Sequence, residues 1–527
     1  MSISLQSITL AHEENGAHTA INWPILVSVL FAGFMEVLDG TVVNVSMPYI
    51  AGGFSAPASE ATWALTSYLA ANAVFLPITG WVVYRVGRKN TLLFSLVMFA
   101  IASACCAISH TLAELVIFRV FQGASGALMQ PIAYAIALEA FPTHDRVRAT
   151  VLMGLVTTIA PTIGPLLGGW ITSELSWPWI FLINVPIAMF SAVMVYWFVP
   201  RYHPVRIKSE AIDYFSLSLL AVAVTSFQVV LSKGQDDDWF SSRFIMTLCV
   251  IAIISALVFI YRQLLTAQPV LDLLIFSERC YSIGVILIFI QSFVLFGCVV
   301  LLPLILQIVM GYTALDAGIT ILPRGLGAIA GIVLAGMVVK VMPPRLALII
   351  GLTANGISSL FLMHINLSCG YWDFFFPQLL GGVSSAFTFV PIATLAFGRV
   401  PQYRLVHATS LFGFASNIGS ALGIAATTAL LFRNAQELTS FVGSHITIYN
   451  QQSTQRLSLM QDYLIDHGVD HFTAHHQSIA NTFIQVTHQS MLLSANNIFG
   501  LMSVLSFAGI LLVMIIGSTS QPHIEMR

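Results

Sequence analysis

Charged residues are scarce in this sequence. Only 8% of its 527 residues are charged, whereas about 25% is typical of soluble globular proteins. Apolar residues make up 57% of the chain, and the mean hydropathy is +0.87. Such a chain cannot cover its surface with water-compatible side chains, which excludes a soluble enzyme, a nucleic-acid-binding protein and a disordered scaffold. The composition predicts a polytopic membrane protein.

Motifs for nucleotide-driven or catalytic chemistry are also missing. The chain has four lysines and none follows a glycine, so there is no P-loop through which ATP could supply energy directly. HExxH, GxSxG and paired-cysteine motifs are absent as well. The cysteines are Cys105, Cys106, Cys249, Cys280, Cys298 and Cys369. They lack metal-ligand spacing and indicate packing residues. We therefore expect no enzymatic activity and no cofactor.

Long uncharged stretches, by contrast, are abundant. A helix needs about 20 apolar residues to cross a bilayer, and fourteen largely uncharged stretches of suitable length lie between charged or turn-forming residues. The predicted spans are 23–46, 62–83, 91–109, 112–139, 149–171, 179–199, 213–232, 244–261, 282–307, 315–339, 346–366, 374–397, 407–432 and 491–516. They predict an all-α polytopic membrane protein with 14 transmembrane helices.

Lysine and arginine are unevenly distributed over the predicted loops. An even number of spans puts both termini on one side, and the loops and tail on that side contain 15 of the 21 basic residues. The loops on the other side contain Lys233, Arg243, Arg433 and Arg456. Because basic loops stay in the cytoplasm, both termini are expected there. The first 20 residues do not resemble a signal peptide, so the first span is expected to be retained.

One predicted outer loop is long and covers about 433–489. It is polar and contains helical-looking runs such as 453–466. Its six histidines are His445, His467, His471, His475, His476 and His488. A metal site is one interpretation, but the irregular spacing and the lack of cysteine favour a solvated helical hairpin. This loop is the surface expected to meet an external partner.

Four charged residues lie well inside the predicted spans, away from the span ends, where charge is costly and indicates function. Glu36 and Asp39 share one face of the first span, Arg119 lies in the fourth and Arg324 in the tenth. A rise of 1.5 Å per residue puts Asp39 and Arg119 at a matching depth of about 10 Å. Glu36 and Arg324 both lie near 14 Å. We expect the first pair to interact within one half and the second pair to face each other across a central cavity. The alternative is static ion pairs that hold helices together.

Two glycine-containing motifs indicate places where helices approach closely or move. The loop after the second span, GWVVYRVGRKN at 80–90, combines glycines with a basic cluster that can bind helix C-termini or carboxylates. Its candidate gating residues are Gly80, Arg85, Gly87, Arg88 and Lys89. A simple cytoplasmic anchor is the alternative.

The fifth span contains APTIGPLLGGW at 160–170, where prolines kink the helix and glycines let a neighbouring helix approach closely. The residues of this motif are Pro161, Gly164, Pro165, Gly168 and Gly169.

Taken together, these segments resemble the major facilitator superfamily, in particular its 14-span drug:proton antiporter branch. The similar segments are LDGTVVNVSMP (38–48), GWVVYRVGRK (80–89), Arg119 with Gln122 and Gly123, the fifth-span motif (160–170) and WPWIFLINVPI (177–187). The resemblance implies two six-helix bundles of inverted repeats with two inserted helices. The implied regions are a cytoplasmic segment (1–22), an N-terminal bundle (23–205), the inserted helices (206–265), a C-terminal bundle with the 433–489 loop (266–517) and a cytoplasmic tail (518–527).

The resemblance also implies proton-coupled drug efflux by alternating access in the bacterial inner membrane. Asp39 is then the proton-sensitive acid and Arg119 the residue that tunes it. Glu36 and Arg324 depart from the family pattern, since many relatives have neutral groups there; from its position in the first span we expect Glu36 to be a further proton-coupling residue. The expected substrate cavity contains Glu36, Asn44, Gln122 and Arg324. The implied partners are a small lipophilic substrate, protons, a periplasmic adaptor and an outer-membrane channel, which together form a tripartite pump.

The sequence departs from the family pattern in ways that bear on the substrate. Tyr84 occupies the loop motif's usual aspartate position, which weakens the case for a carboxylate latch there. No acid lies mid-span in the last six spans, so a cavity containing Arg324 would trap dications poorly. We therefore expect lipophilic weak acids or neutral amphiphiles as substrates. The alternative function is export of one endogenous metabolite, such as a siderophore or a fatty acid.

Overall fold

The computed structural model is all-helical over the residues it describes, with no β-strand among them. The described residues are 23–141, 146–200, 213–235, 237–266, 271, 273–401, 404–446 and 449–515. The predicted terminal segments 1–22 and 518–527 lie outside these ranges.

In its described residues, the first half of the molecule contains seven helices of two turns or more. They are α1 (Trp23–Gly53), α2 (Trp63–Phe75), α3 (Thr79–Val86), α4 (Arg88–Ala107), α5 (Leu112–Glu139), α6 (Arg146–Glu174) and α7 (Asn184–Phe198). One-turn helices at Ala58–Ala61 and Trp179–Leu182 lie before α2 and α7.

The rest of the chain contains nine further helices in the described ranges. They are α8 (Tyr214–Lys233), α9 (Arg243–Leu265), α10 (Arg279–Ile308), α11 (Ala314–Val341), α12 (Pro344–Leu362), α13 (Tyr371–Phe397), α14 (Leu405–Ser444), α15 (Gln451–Asp466) and α16 (His471–Ile515).

Twelve described helices are long and apolar enough to cross a membrane, and the number reaches 14 when each bent pair counts as one span. One bent pair is α2 with α3, which meet at 59°. The other consists of two parts of α6, Arg146–Pro161 and Leu166–Glu174, which meet at 44°. The predicted all-α architecture of 14 spans is confirmed. The bend in α6 agrees with the kink that its prolines predict.

Threonine side chains cap the N-termini of two spans. Thr111 precedes α5, and its hydroxyl accepts a hydrogen bond from the Glu114 backbone N–H at 3.2 Å. Thr313 precedes α11 and accepts one from the Asp316 backbone N–H at 3.1 Å. Each cap satisfies an N–H that the helix itself leaves unpaired and contributes about 1 kcal/mol. Polar residues at these points therefore determine where the chain turns back into the bundle.

Successive spans alternate in direction, so their ends meet at two faces. We call the end where α1 begins and α16 ends the terminal face, and the other end the opposite face. Arg88 at the start of α4 forms an ion pair with Glu139 at the end of α5. Arg345 at the start of α12 donates a hydrogen bond to the Met514 carbonyl near the end of α16 at 3.1 Å. Both contacts lie at the terminal face, as the alternation requires.

The hydrophobic cores show where the two halves are held together. One core at the terminal face combines residues of both halves, for example Phe141 and Phe412. Toward the opposite face, Ile171 belongs to a core within the first half and Phe499 to a separate core within the second. The halves therefore share apolar packing mainly at the terminal face.

The pair α8 and α9 corresponds to the predicted inserted helices. The two helices pack against each other, and α8 also contacts α2 of the first half and α14 of the second. Lys233 at the end of α8 is 6% exposed and donates a hydrogen bond to the Thr62 hydroxyl at 2.7 Å. The inserted pair thus lies against both halves, while the domain limits inferred from the family resemblance stay a prediction.

The polar 433–489 region is largely helical. α14 has 40 residues and α16 has 45, which correspond to lengths of roughly 60 and 67 Å at 1.5 Å per residue. A hydrocarbon core is about 30 Å thick, so both helices extend well beyond it at the opposite face. With α15 between them they form the expected hairpin, although its outer helices are continuous with spans. No three metal-binding side chains among the described residues are close enough to hold a metal ion.

Candidate functional site: a central cavity and a buried ion pair

A cavity of about 560 Å³ lies between the two halves, which is the size of sites for drug-sized molecules. Its wall is formed by α1, α2, α5, α6, α10, α13 and α14. Polar lining residues include Glu36, Asn72, Gln130, Gln291, Ser385 and Asn417. Aromatic lining residues are Tyr68, Tyr134, Phe296, Phe389 and Phe412. A mostly apolar wall with dispersed amides suits an amphipathic ligand.

Contacts of α14 with the first half close the cavity at the terminal face. The Ser410 hydroxyl donates to the Leu76 carbonyl. The Thr409 hydroxyl lies 3.2 Å from the Pro131 carbonyl oxygen, and it also lies 2.9 Å from the Leu405 carbonyl oxygen of its own helix. We call the contacts of Ser410 and Thr409 with the first half the terminal-face seal. In the other direction the cavity wall reaches Ile308, the last residue of α10 at the opposite face. The structure therefore has its two halves sealed at one face and a cavity that extends toward the other.

Glu36 is the acid of the described cavity wall, which contains no lysine, arginine or histidine. Its Oε1 accepts a hydrogen bond from Asn72 Nδ2 at 3.0 Å. A Cβ added at Gly126 of α5 would lie 3.4 Å from Glu36 Cγ, so the small residue leaves room for this side chain. A carboxyl group that is 9% exposed in an apolar cavity can bind a proton or a polar group of a ligand.

Asp39 lies one turn further along α1, and its side chain is fully buried. Arg119 Nη1 donates to Asp39 Oδ2 at 2.7 Å, so the contact expected from matching depths is present. Asp39 Oδ1 accepts hydrogen bonds from Gln122 Nε2 at 3.0 Å and from Asn184 Nδ2 at 2.6 Å. Both amides also contact Ser103 Oγ, at 3.0 and 3.2 Å. Three donors from α5 and α7 therefore surround one carboxylate.

Arg119 is held from several directions. Its Nε donates to the Ala64 carbonyl at 3.1 Å, and its Cζ lies 4.0 Å from the centre of the Tyr68 ring and 5.6 Å from that of Phe181. Its Nη2 is buried and has no hydrogen-bond partner among the described residues. Removing one partner of a buried ion pair costs about 3–5 kcal/mol. The charge of Asp39 is therefore a strong determinant of how α1 packs against α5.

Tyr68 contacts the surroundings of both acids. Its ring covers Arg119, and its hydroxyl donates to the Glu36 backbone carbonyl at 3.4 Å. Tyr68 and Glu36 border the cavity, whereas Asp39 does not. A proton or ligand in the cavity thus meets Glu36 in the wall, whereas Asp39 lies outside the wall and is paired with Arg119.

The basic residues of the 80–90 loop bind the ends of neighbouring spans. Gly87 joins α3 to α4 with φ of 87°, a left-handed conformation that favours glycine. Arg88 then forms the ion pair with Glu139, and Lys89 Nζ donates to the Tyr196 carbonyl at 2.7 Å. These contacts tie α4 to α5 and α7 at the terminal face. Their role as a gate stays a prediction.

Gly80 lies where the first half meets α14. A Cβ added there would lie 2.7 Å from His407 Cε1 of α14, so a larger residue would displace the imidazole. Arg85 follows on α3, with its Cζ 4.5 Å from the Trp81 ring centre. The predicted gating loop is therefore in direct contact with the second half, next to the terminal-face seal.

The glycines of the fifth-span motif lie where α6 packs closely against α1. A Cβ at Gly164 would lie 2.8 Å from Thr41 Cβ, and a Cβ at Gly168 would lie 2.7 Å from the Val42 carbonyl oxygen. These two glycines let α6 approach the part of α1 that follows Asp39. The side chain of Pro165 lies outside the described residues, as does that of Asn44, which was expected in the cavity.

A family model described as Major Facilitator Superfamily matches residues 29–424. The chain belongs to the major facilitator superfamily.

Relatives cover nearly the whole chain. Multidrug export protein EmrB of Haemophilus influenzae is 32% identical, over 93% of this chain and 94% of its own length. Fatty acid resistance protein FarB of Neisseria gonorrhoeae is 30% identical, over 91% of this chain and 93% of its own. Among solved structures, the human organic anion transporter MFSD10 (TETRAN) superposes with a TM-score of 0.60 at 13% identity, over 94% of this chain and 100% of that chain. The superfamily member described here is thus a multi-pass membrane protein with the fold of its family.

Two residues expected in the substrate cavity of this superfamily member lie elsewhere. Arg324 is 6% exposed and lies beside the Cys298 sulfur, inside the second half. A Cβ added at Gly381 of α13 would lie 3.9 Å from its Cζ. The expectation that Arg324 faces Glu36 across the cavity is wrong in this structure, because equal depth does not determine which way a side chain points. Gln122 is also absent from the wall, since its amide is committed to the Asp39 carboxylate.

Sequence reasoning missed the amides that surround the acids. Asn184 contacts Asp39, while Asn72 connects Glu36 to Asn417. Each amide stands in an apolar span, where an unpaired polar group is unfavourable. An amide within an apolar span therefore indicates a polar partner, and this signal was present in the sequence.

Proposed function

We propose that this superfamily member is a proton-coupled efflux permease for lipophilic toxic compounds, and a transporter rather than an enzyme. The observation that carries the proposal is the fully buried Asp39–Arg119 ion pair next to a cavity whose wall contains Glu36. Ionisable groups inside membrane spans are costly and mark ion or substrate pathways. The similarity to EmrB of Haemophilus influenzae supports export of drugs.

Proton binding at Asp39 is expected to change how α1 packs against α5. The ionised carboxylate accepts hydrogen bonds from Arg119, Gln122 and Asn184. A proton on either oxygen converts an acceptor into a donor. It also leaves Arg119 buried without its counter-charge, which is unfavourable. The protonated form thus favours a different arrangement of the helices, and loss of the proton restores the first one, as alternating access requires.

We assign the terminal face to the cytoplasm of a bacterial inner membrane. Arg88, Lys89 and Arg345 lie at this face, and basic segments stay cytoplasmic. The seal then closes the cytoplasmic side, and the cavity extends outward. In this orientation the described conformation is the one that releases a substrate and accepts a proton from outside.

The proton gradient supplies enough free energy for export. One proton that enters across 100 mV releases about 2.3 kcal/mol. A tenfold concentration ratio corresponds to about 1.4 kcal/mol, so one proton per substrate supports roughly a 50-fold substrate gradient.

Proton-driven drug uptake into inverted membrane vesicles tests the proposal. We expect the parent to accumulate drug only with a proton gradient, and Asp39→Asn to lose this dependence because the amide cannot bind and release the proton. Glu437→Gln is the matched control, because Glu437 is an exposed acid on α14 beyond the membrane. Unchanged coupling in Asp39→Asn would remove Asp39 from the mechanism. Equal uptake by the parent after collapse of the gradient would end the proton-coupled proposal.

The 30% identity with FarB favours a second candidate, export of an endogenous metabolite such as a fatty acid. The weak-acid expectation depended on Arg324 in the cavity, and the described wall contains no cation to bind a carboxylate. Competition in the vesicle assay separates the two functions. Inhibition by a long-chain fatty acid but not by tetraphenylphosphonium or a neutral amphiphile would favour the metabolite exporter, and the reverse would favour drug efflux.

We infer that the hairpin of α14, α15 and α16 contacts a periplasmic adaptor, which in turn reaches an outer-membrane channel. Aromatic side chains on the hairpin are exposed although it stands outside the bundle. They are Phe441, Tyr449, Tyr463, Phe472 and Phe483. A photo-crosslinker at Tyr463 is expected to capture a co-expressed adaptor in cells. The same crosslinker at Leu264, exposed at the terminal face, is the control. Equal capture from both positions would contradict the assignment.

A further inference from the structure

A chain of two hydrogen bonds crosses from one half to the other inside the cavity. Asn417 Nδ2 of α14 donates to Asn72 Oδ1 of α2 at 3.0 Å. Asn72 Nδ2 in turn donates to Glu36 Oε1 at 3.0 Å. All three residues line the cavity. The acid of the cavity is thus connected, through a single amide, to the helix that forms the terminal-face seal.

This connection differs chemically from the seal itself. Thr409 and Ser410 donate to backbone carbonyls, which accept a hydrogen bond whatever the protonation state of the cavity. Asn417 instead donates to a side-chain amide whose own orientation depends on Glu36. The bond between the amides can therefore respond to what binds in the cavity.

The orientation of the Asn72 amide follows from the donor and acceptor types of its neighbours. An ionised Glu36 can only accept, so it binds the NH₂ end of Asn72 and turns the carbonyl end toward Asn417. A proton on Glu36 removes this constraint, because a protonated carboxyl group can donate as well as accept. If the Asn72 amide turns over, two NH₂ groups face each other and the described inter-half bond is broken; it re-forms only if Asn417 turns over as well. Asn417 Oδ1 has no hydrogen-bond partner among the described residues, so the bond to Asn72 is the polar contact that sets the orientation of the Asn417 amide.

Asn72 also lies one turn before the break in the second span. Its carbonyl accepts the Leu76 N–H at 2.9 Å, and α3 then continues at 59° to α2. α3 carries Gly80 against His407. Asn72 therefore lies next to the segment of the first half that meets α14.

The ionisable groups around Glu36 come from three helices. They are Asp39 on α1, Tyr68 on α2, and Arg119 and Tyr134 on α5. The parts of the wall formed by α6, α10, α13 and α14 contribute no ionisable side chain among the described residues. No cation in the wall competes with Asn72 for the Glu36 carboxylate.

We propose that Asn72 and Asn417 are positioning residues that couple the occupancy of Glu36 to the terminal-face seal. With Glu36 ionised, the amide pair holds α14 against α2; with a proton bound, the pair releases and the seal can open. The deprotonated carrier then stays closed at the terminal face, which makes opening there depend on proton binding. This proposal rests on the proposed efflux function.

A double-mutant cycle tests whether Glu36 and Asn417 are coupled. The measured quantity is the distance between the two halves at the terminal face. Spin labels at Val86→Cys and Arg399→Cys report on exposed terminal-face positions of the two halves. The full-length protein carries them in lipid nanodiscs with its six native cysteines replaced. Glu36→Gln mimics the neutral acid, Asn417→Leu removes the inter-half donor, and Thr409→Val is the matched control.

In the parent, Glu36→Gln is expected to raise the ratio of open to closed populations about fivefold, the effect of one hydrogen bond of average strength. In the Asn417→Leu background the ratio starts higher, and Glu36→Gln changes it by less than about twofold. In the Thr409→Val background the ratio also starts higher, but Glu36→Gln keeps its full effect. Asn417→Ala, which removes the same donor with less bulk, is measured alongside in case the leucine variant does not fold.

Three results would overturn the proposal: no effect of Glu36→Gln in the parent, an equal effect after removal of the Asn417 donor, or equal loss of the effect in the Thr409→Val control. Drug uptake by the parent with the proton gradient collapsed is measured separately. Uptake that does not depend on the gradient would refute proton coupling. The spin-label cycle would still test separately whether the amide pair couples Glu36 to the seal.

Discussion

Replacing Gly168 by alanine tests whether the close crossing of α1 and α6 stabilises the first half. The added methyl group would lie 2.7 Å from the Val42 carbonyl oxygen, whereas ordinary contact begins at 3.4 Å. The neighbour is backbone of another helix, so the helices themselves must move apart by roughly 0.7 Å. Overpacking of this kind costs about 1–3 kcal/mol. We therefore expect Gly168→Ala to unfold at a lower temperature than the parent.

Gly52→Ala is the matched control, because Gly52 lies on α1 and a Cβ there meets nothing within 4 Å. In a helix, alanine is more stable than glycine by about 0.5–1 kcal/mol. The control should therefore melt at or above the temperature of the parent. Thermal unfolding in detergent, followed by tryptophan fluorescence, gives the order of the three proteins. Melting of Gly168→Ala at or above the parent would refute the reasoning from close packing.

Two further predictions concern contacts between halves. Gly80→Val should push His407 aside and lengthen the spin-label distance at the terminal face; an unchanged distance would count against a role for Gly80 in closure. Lys233→Met should lower the melting temperature by removing the buried hydrogen bond to Thr62, worth about 1.5–3 kcal/mol for a charged donor. Arg243→Met, at an exposed position, is its control, and equal melting of both variants would contradict the anchoring role of Lys233.

Depth along a span could be predicted from the sequence, but direction around the helix could not. The rise per residue put Asp39 and Arg119 at one depth, and they are in contact. It also put Glu36 and Arg324 at one depth, yet Arg324 lies beside Cys298 within the second half. Depth depends on counting residues from a helix end. Direction depends on how neighbouring helices pack, which a single sequence does not contain.

The ends of the last spans were predicted too short for a related reason. Hydropathy ended the thirteenth span near residue 432, but α14 continues to Ser444. Likewise α16 begins at His471, twenty residues before its predicted start. Apolar composition indicates which part of a helix lies in the bilayer. It does not indicate where the helix ends, because backbone hydrogen bonds can continue through polar residues. The sequence could therefore predict where the bilayer ends and a helical hairpin beyond it, but not that the spans themselves continue into the hairpin.

The two acids of α1 occupy different environments but cannot act independently. Glu36 is reached from the cavity, while Asp39 is fully buried and paired with Arg119, whose guanidinium lies under the Tyr68 ring. Tyr68 contacts both sites, since its ring covers the guanidinium and its hydroxyl binds the Glu36 backbone. A shift of α1 that follows proton binding at Asp39 must therefore also move Glu36 relative to Asn72. In the proposed mechanism, the charge inside the first half and the seal between the halves then change together, and this joint change is what would couple proton binding to transport.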